Sequence, residues 1–71
     1  MKYYYLYLVS EFAESKPIIT IIGSFESKRA FEKAKKALML TLECCDRNCW
    51  EDTRCVFGQV HCYVTFRYLD F

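Results

Sequence analysis

Four of the first seven residues are tyrosines, at positions 3, 4, 5 and 7 of the run KYYYLYLV, and no charged residue lies between Lys2 and Glu11. Aromatic residues favour strands, and alternate side chains of a strand point to opposite faces. One face would then carry Tyr3, Tyr5, Tyr7 and Val9, and the other Tyr4, Leu6 and Leu8. Both faces are apolar. Because a domain this small has enough core for one side of a single sheet, the second aromatic side is predicted to meet a partner.

The chain is predicted to form one domain over residues 1–71. Its 54% hydrophobic content is too high for a disordered chain. A formal charge of +1 creates no global field toward nucleic acid or an anionic membrane. The tyrosine-rich start does not fit a secretory signal, and no apolar run reaches the ~20 residues that span a bilayer. We therefore expect a cytoplasmic protein.

The next segments predict a second strand and a helix. The loop SEFAESKP ends in Pro17, which suits a strand entry, and the β-branched run from Ile18 to Ile22, ended by Gly23, predicts strand two of a hairpin. From Ser27 onward, apolar residues recur at three- and four-residue steps and predict a helix that starts at Ser24 or Ser27 and ends near Asn48. Its core stripe would be Ala30, Phe31, Ala34, Ala37, Leu38, Thr41, Leu42 and Cys45, with Met39 and Leu40 toward the outer side.

The C-terminal third predicts a polar loop and a long strand. The segment from Asp46 to Thr53 is polar apart from Trp50, and alternation of apolar and polar residues then runs from Val56 to Tyr68. Gly58 interrupts this alternation, which favours a bulge, with a tight turn and a fourth strand as the alternative. The predicted fold is α+β, in the order β-β-α-β. One helix covers a three-stranded antiparallel sheet of spatial order 2-1-3.

The face away from the helix is the first candidate site. It would carry Tyr3, Tyr5, Tyr7, His61, Tyr63 and Arg67. Tyrosines anchor protein interfaces, and they also stack on unpaired bases. Alternatively, the C-terminal residues or the first loop cover the face, or two copies pack sheet to sheet as a homodimer.

Two charged segments are further candidates. The helix carries a row of cations that suits a phosphate backbone, namely Lys28, Arg29, Lys33, Lys35 and Lys36. In the loop after the helix, Trp50 has acidic neighbours in Glu51 and Asp52 and suits a basic groove on a protein partner. The alternatives are a solvated helix face and a tryptophan that closes the core.

No reaction chemistry is predicted. The five cysteines are odd in number and include no CxxC pair, which favours reduced thiols over disulfides. Cys45 and Cys49 have zinc-ligand spacing without a second pair, so we expect neither a metal site nor a cofactor. His61 and Cys62 are adjacent in a strand and point to opposite faces, which prevents a nucleophile and base pair. With no glycine-rich phosphate loop and no GxSxG motif, the sequence indicates that the protein is not an enzyme.

The plan resembles that of small inhibitor proteins made by phages and other mobile elements, including those of the anti-CRISPR kind. Three segments carry the resemblance across the chain: MKYYYLYLV as a strand, FESKRAFEKAKKAL as a helix and QVHCYVTFRY as a strand. The resemblance lies in the architecture and implies a phage protein that inhibits or modulates a larger host machine in the host cytoplasm. The alternatives are a small nucleic-acid-binding module and a structural homodimer.

Overall fold

A helix packs on one face of a four-stranded sheet. The computed structural model describes residues 2–12, 15–43 and 49–68. Along the chain lie β1 (Tyr4–Phe12), β2 (Ile18–Phe25), α1 (Lys28–Glu43), β3 (Cys49–Val56) and β4 (Gln59–Tyr68). The spatial order of the strands is β2-β1-β4-β3. The β1–β2 and β3–β4 pairs are antiparallel, and β1 pairs with β4 in parallel.

The predicted three-stranded antiparallel sheet is wrong, because the chain reverses once more than predicted. Phe57 and Gly58 form a two-residue turn with φ values of 49° and 75°. Two positive φ values in sequence are the geometry of a tight hairpin turn whose twist matches the flanking strands. The bulge predicted at Gly58 is therefore wrong, and the alternative of a fourth strand is confirmed. The extra reversal makes β4 run parallel to β1.

The predicted polar loop is an edge strand wherever the structure describes it. Cys49 to Thr53 belong to β3 and pair with β4 in continuous register from Cys49↔Phe66 to Val56↔Gln59. Residues 46–48, and with them the predicted end of the helix, lie outside the described residues. Among the residues that the structure describes, the register of the sheet is irregular in β2 and not in β4. The β1–β2 register shifts between Leu6 and Tyr7, so that Leu6 pairs with Gly23 and Tyr7 with Ile21.

The helix is where the sequence predicts it. The Ser27 hydroxyl accepts a hydrogen bond from the backbone N–H of Ala30 at 3.2 Å and caps the first turn. Ser24 lies in β2 instead. The stripe that faces the sheet is narrower than predicted, since Ala30, Ala37 and Thr41 are exposed. Met39, predicted to point outward, packs against the core, whereas Leu40 is exposed as expected. Cys45 lies outside the described residues.

The core lies between α1 and the two central strands. Its buried residues are Leu6, Phe31, Leu42, Cys62, Val64 and Phe66. Leu6, Cys62 and Val64 have no exposed surface, because β1 and β4 are both flanked by other strands and covered by the helix. Burial of each large apolar side chain contributes about 1.5–3 kcal/mol. The helix covers one side of the sheet, and none of the described residues forms a second layer on the other side; residues 69–71, the alternative cover in the sequence analysis, lie outside the described residues.

Candidate functional site

The candidate site is the sheet face opposite α1, called the open face below. Cross-strand register and the alternation of side chains assign its members on all four strands. They are Ile19 and Ile21 of β2, Tyr5, Tyr7, Val9 and Glu11 of β1, His61, Tyr63, Thr65 and Arg67 of β4, and Trp50, Asp52 and Arg54 of β3. None of the described residues lies over this face as a second layer, since α1 packs on the other side. The predicted tyrosine face therefore exists and extends across four strands.

Four aromatic rings form a continuous stack along the middle of the open face. The ring centroids of Tyr5 and His61 are 4.9 Å apart, those of His61 and Tyr7 are 5.7 Å apart, and those of Tyr7 and Tyr63 are 4.7 Å apart. All three pairs are nearly parallel, with interplanar angles of 20°, 10° and 12°. Such distances between parallel planes are those of offset stacking. We call these four residues the ring row, and Tyr3 extends it with a tilted contact to Tyr5 at 6.4 Å.

The parallel pairing of β1 with β4 builds the ring row. Tyr5 lies opposite His61 and Tyr7 lies opposite Tyr63 in the register. The rings lean along the strands and interleave, so His61 has Tyr5 on one side and Tyr7 on the other. Tyr63 has Tyr7 on one side and the guanidinium of Arg54 5.9 Å from its centroid. His61 and Tyr7 thus each stack with two rings of the same sheet, which leaves their edges for contacts with a partner.

A hydrogen bond ties the ring row together. The Tyr7 hydroxyl oxygen and His61 Nδ1 are 3.0 Å apart. Burial in the row, together with the neighbouring phenols of Tyr63 and Tyr5, raises the pKa of Tyr7 above its ordinary value of 10.0. Tyr7 is therefore protonated at neutral pH, and its hydroxyl donates to Nδ1 whenever His61 carries its proton on Nε2. The row is ordered by polar contacts as well as by stacking.

The charges on the open face are paired with one another. The Arg67 Nε donates to Glu11 Oε2 at 2.6 Å, and the Arg54 Nε donates to Asp52 Oδ2 at 3.0 Å. Both pairs are solvent-exposed and contribute little to stability. Their effect is on recognition, because each arginine on this face already has a carboxylate partner. Among the described residues, the open face carries no excess of positive charge.

The residues Trp50, Glu51 and Asp52, predicted to lie in a loop, belong to β3. Their side chains are therefore divided between the two faces of the sheet. Trp50 is 40% exposed on the open face, with the Arg67 guanidinium 4.4 Å from its ring centroid. Asp52 is on the same face. Glu51 points to the helix side, where its carboxylate lies 3.0 Å from Lys35 Nζ. Trp50 does not close the core, and the acidic patch predicted around it is divided between the two faces.

The helix cations lie on the other side of the molecule. Lys28, Arg29, Lys33 and Lys36 are exposed, whereas Lys35 bridges Glu32 and Glu51 at 3.1 Å and 3.0 Å. Burial alone lowers the pKa of Lys35, but its hydrogen bonds to Glu51 and Glu32 outweigh burial and raise the pKa above 10.5. Lys35 is therefore a structural cation. Because the sheet separates the remaining cations from the ring row, one short ligand cannot contact both.

The three described thiols differ in exposure, and Cys49 is half-buried. Cys55 is exposed in β3, whereas Cys62 is buried in the core, and burial raises the pKa of the Cys62 thiol above 9.0. The Cys62 Sγ donates a long hydrogen bond of 3.8 Å to Glu51 Oε2. Cys62 is therefore a protonated core residue and not a nucleophile. Within the described ranges, no three metal-ligating side chains converge.

Three features of this region were missed by the sequence reasoning. Arg54 and two of the exposed isoleucines of β2, Ile19 and Ile21, join the open face, and Phe57 stands at the tip of the β3–β4 hairpin. A signal for the hairpin was present, because Gly58 lies just before an alternating run, where a glycine is typical of a tight turn between two strands. The helical segment that the structure describes is too short and too polar to cross a bilayer. No protein-family model, curated protein or solved structure matches this chain.

Proposed function

We propose that this chain is a small non-enzymatic binding protein that docks its open face on a protein partner and thereby inhibits or modulates a larger macromolecular machine. The resemblance of the sequence plan to phage and mobile-element inhibitors of the anti-CRISPR kind implies a function of this kind. The observation that carries the proposal is the ring row, which lies on a sheet face that no described residue covers. Tyrosine and tryptophan dominate the energetics of protein interfaces, because they cover a large area and lose little conformational entropy.

The way in which the rings stack favours a protein over a nucleic acid. A base that stacks on an aromatic side chain needs a free ring face. In the ring row, His61 and Tyr7 each stack with two rings, and Tyr63 contacts both the Tyr7 ring and the Arg54 guanidinium. Ring edges and hydroxyls suit the mixed apolar and hydrogen-bonding surface of a protein. The pairing of Arg54 and Arg67 also favours a protein partner, because a phosphate would have to displace their carboxylate partners.

The test is a comparison of captured proteins between matched variants. Tagged wild-type protein, Tyr5→Ala and Trp50→Ala would be incubated with bacterial lysate, with and without nuclease. Leu40→Ala is the control, because Leu40 is similarly apolar and 53% exposed but lies on the outer side of α1. We expect that wild type and Leu40→Ala capture the same protein from the lysate, and that nuclease treatment does not prevent its capture. Its affinity should fall about 30-fold or more in the two open-face variants, the loss of ~2 kcal/mol that defines a hot spot.

Circular dichroism of each variant serves to separate lost binding from unfolding. A folded double variant, Tyr5→Ala with Trp50→Ala, that still binds the partner with wild-type affinity would refute the open face as the binding site.

A second candidate function is nucleic-acid binding through the exposed cations of α1. The supporting observation is that Lys28, Arg29, Lys33 and Lys36 share one exposed helix side while Lys35 alone is neutralised. Phosphate binding by four cations would weaken steeply with salt, with a logarithmic slope of about −3 to −4. A fluorescent oligonucleotide titrated at two salt concentrations measures the slope. Lys33→Gln combined with Lys36→Gln should reduce it, whereas Tyr5→Ala should not.

A further inference from the structure

The hairpin that joins β3 and β4 ends in a side chain that the fold does not use. Phe57 is 99% exposed, and Val56 before it is 46% exposed. Among the described residues, the next most exposed large apolar side chain is Ile21, at 70%. Single exposed apolar residues are ordinary, but a phenylalanine with no packing at all is not explained by stability.

The backbone at this position also disfavours phenylalanine. Both turn residues have positive φ, 49° at Phe57 and 75° at Gly58. Turns of this kind strongly prefer Asn-Gly, Asp-Gly or Gly-Gly, because side chains with a bulky Cβ substituent are strained at positive φ. Gly58 obeys this preference and Phe57 breaks it. Backbone strain that no surrounding contact offsets is typical of functional positions.

The base of the hairpin is held rigidly. The backbone N–H of Tyr3 donates to Gln59 Oε1 at 2.8 Å, and the backbone N–H of Val60 donates to the Tyr3 carbonyl at 2.9 Å. Val56 pairs with Gln59 directly below the turn. The tip is therefore fixed to the start of β1, and a side chain presented from a fixed turn loses less entropy on binding than one on a flexible loop.

We propose that Phe57 is an anchor that inserts into an apolar pocket on the same protein partner that the open face binds. This inference rests on the function proposed above. The register places the tip at the end of the sheet where the ring row begins, because Val60 lies beside Tyr4 on one side and Cys55 on the other. One partner surface can therefore contact the ring row and receive Phe57.

The charge around the tip favours a protein pocket over an anionic lipid surface or a phosphate backbone. Residues 55–60, CVFGQV, carry no charge. The nearest cation in β3, Arg54, is paired with Asp52, and Lys2 and Lys28, which lie near Val60 at this end of the sheet, are on the helix side. Interfacial membrane binding requires a broad apolar face supported by basic residues, whereas a single aromatic ring suits a pocket that excludes water from around it.

The test measures the affinity of the partner recovered in the experiment above for four proteins: wild type, Phe57→Asn, Phe57→Leu and the control Leu40→Asn. Asparagine suits the turn, so loss of folding is not expected in Phe57→Asn. We expect Phe57→Asn to weaken binding about 30-fold or more, the range of an anchor residue. Phe57→Leu should keep most of the affinity, because it retains an apolar anchor, and Leu40→Asn should bind like wild type.

The outcomes separate this inference from the proposed function. Wild-type affinity of Phe57→Asn, together with lost binding by Tyr5→Ala, would overturn the anchor and leave the open-face function standing. Recovery of no protein partner would overturn both. Two controls test other occupants of the tip: sedimentation of vesicles rich in phosphatidylserine, and sedimentation velocity of the protein alone. Vesicle binding or self-association that disappears in Phe57→Asn would assign the tip to a lipid surface or a second copy and refute the protein pocket.

Discussion

Replacing Phe57 by asparagine should stabilise the fold. A residue other than glycine in the left-handed region costs about 1–2 kcal/mol, and asparagine tolerates this region far better than phenylalanine. No compensating contact is lost, because Phe57 is 99% exposed. We therefore expect Phe57→Asn to raise the free energy of unfolding by about 1 kcal/mol, a shift of about 4–8 °C in Tm for a domain of this size. Urea and thermal denaturation measure both quantities, and the urea m-value should not change.

Two further variants at the same position isolate the cause. Phe57→Ala removes the ring but keeps a Cβ at positive φ, so its stability should stay close to that of wild type. Phe57→Gly relieves the strain but increases the freedom of the unfolded chain by about 0.4–1 kcal/mol, so it should gain less than Phe57→Asn. Equal gains in the alanine and asparagine variants would show that the ring and not the backbone is responsible. A destabilised Phe57→Asn would refute the argument that the fold makes no use of Phe57.

Three other predictions follow from buried or titrating groups. Leu6→Ala should destabilise the domain by about 2–5 kcal/mol in urea denaturation, since Leu6 has no exposed surface; a cost below 1 kcal/mol would contradict the core described here. In the native protein, iodoacetamide should modify Cys55 and spare Cys62 until urea is added, because Cys62 is buried and burial raises the pKa of its thiol. Mass spectrometry of peptides measures the order of modification, and modification of Cys62 before Cys55 would contradict the prediction. The pKa of Tyr7 is raised by burial and by Tyr63 and Tyr5, so Tyr7 loses its proton at a lower pH in the unfolded chain than in the folded one. The stability that Tyr7 contributes should therefore be complete below pH 10.0 and lost as pH rises through the folded pKa. Tyr7→Phe should show a smaller loss of unfolding free energy above that pH, and an identical pH profile would contradict this linkage.

The sequence predicts the helix and three of the four strands because their patterns are strong. The aromatic run KYYYLYLV and the β-branched run IITII predict β1 and β2, the alternation that ends at Tyr68 predicts β4, and the three- and four-residue steps after Ser27 predict α1. The shared face of the tyrosines follows from the period of two in a strand. These elements satisfy local preferences and burial together, which is the condition under which pattern reasoning works.

The sequence does not predict β3, because this edge strand is polar on both faces. Its charged residues, Glu51, Asp52 and Arg54, are typical of a loop when taken alone. Their partners are set by the fold: Glu51 bonds Lys35 of α1, and Asp52 bonds Arg54, which lies two residues along on the same face of the strand. Charged edge strands are common, since charge discourages pairing with other chains. The local signal that would have revealed β3 was the turn at Phe57 and Gly58. Its first position is a phenylalanine, whereas such turns prefer asparagine, aspartate or glycine there.

The missed strand determines the character of the open face. With three strands the last strand would run antiparallel to β1, and the face would lack Trp50, Asp52 and Arg54. With four strands β4 runs parallel to β1, and β3 brings Arg54 against Tyr63 and Trp50 against Arg67. Each arginine then has both an aromatic and an acidic neighbour on the same face. This arrangement pairs both arginines of the face and covers the rings of His61 and Tyr7, the groups that single-stranded nucleic acid would use. The uncharged hairpin tip leaves Phe57 solvated at a positive φ. The proposed protein partner, which would cover the ring row and receive Phe57, would explain both features.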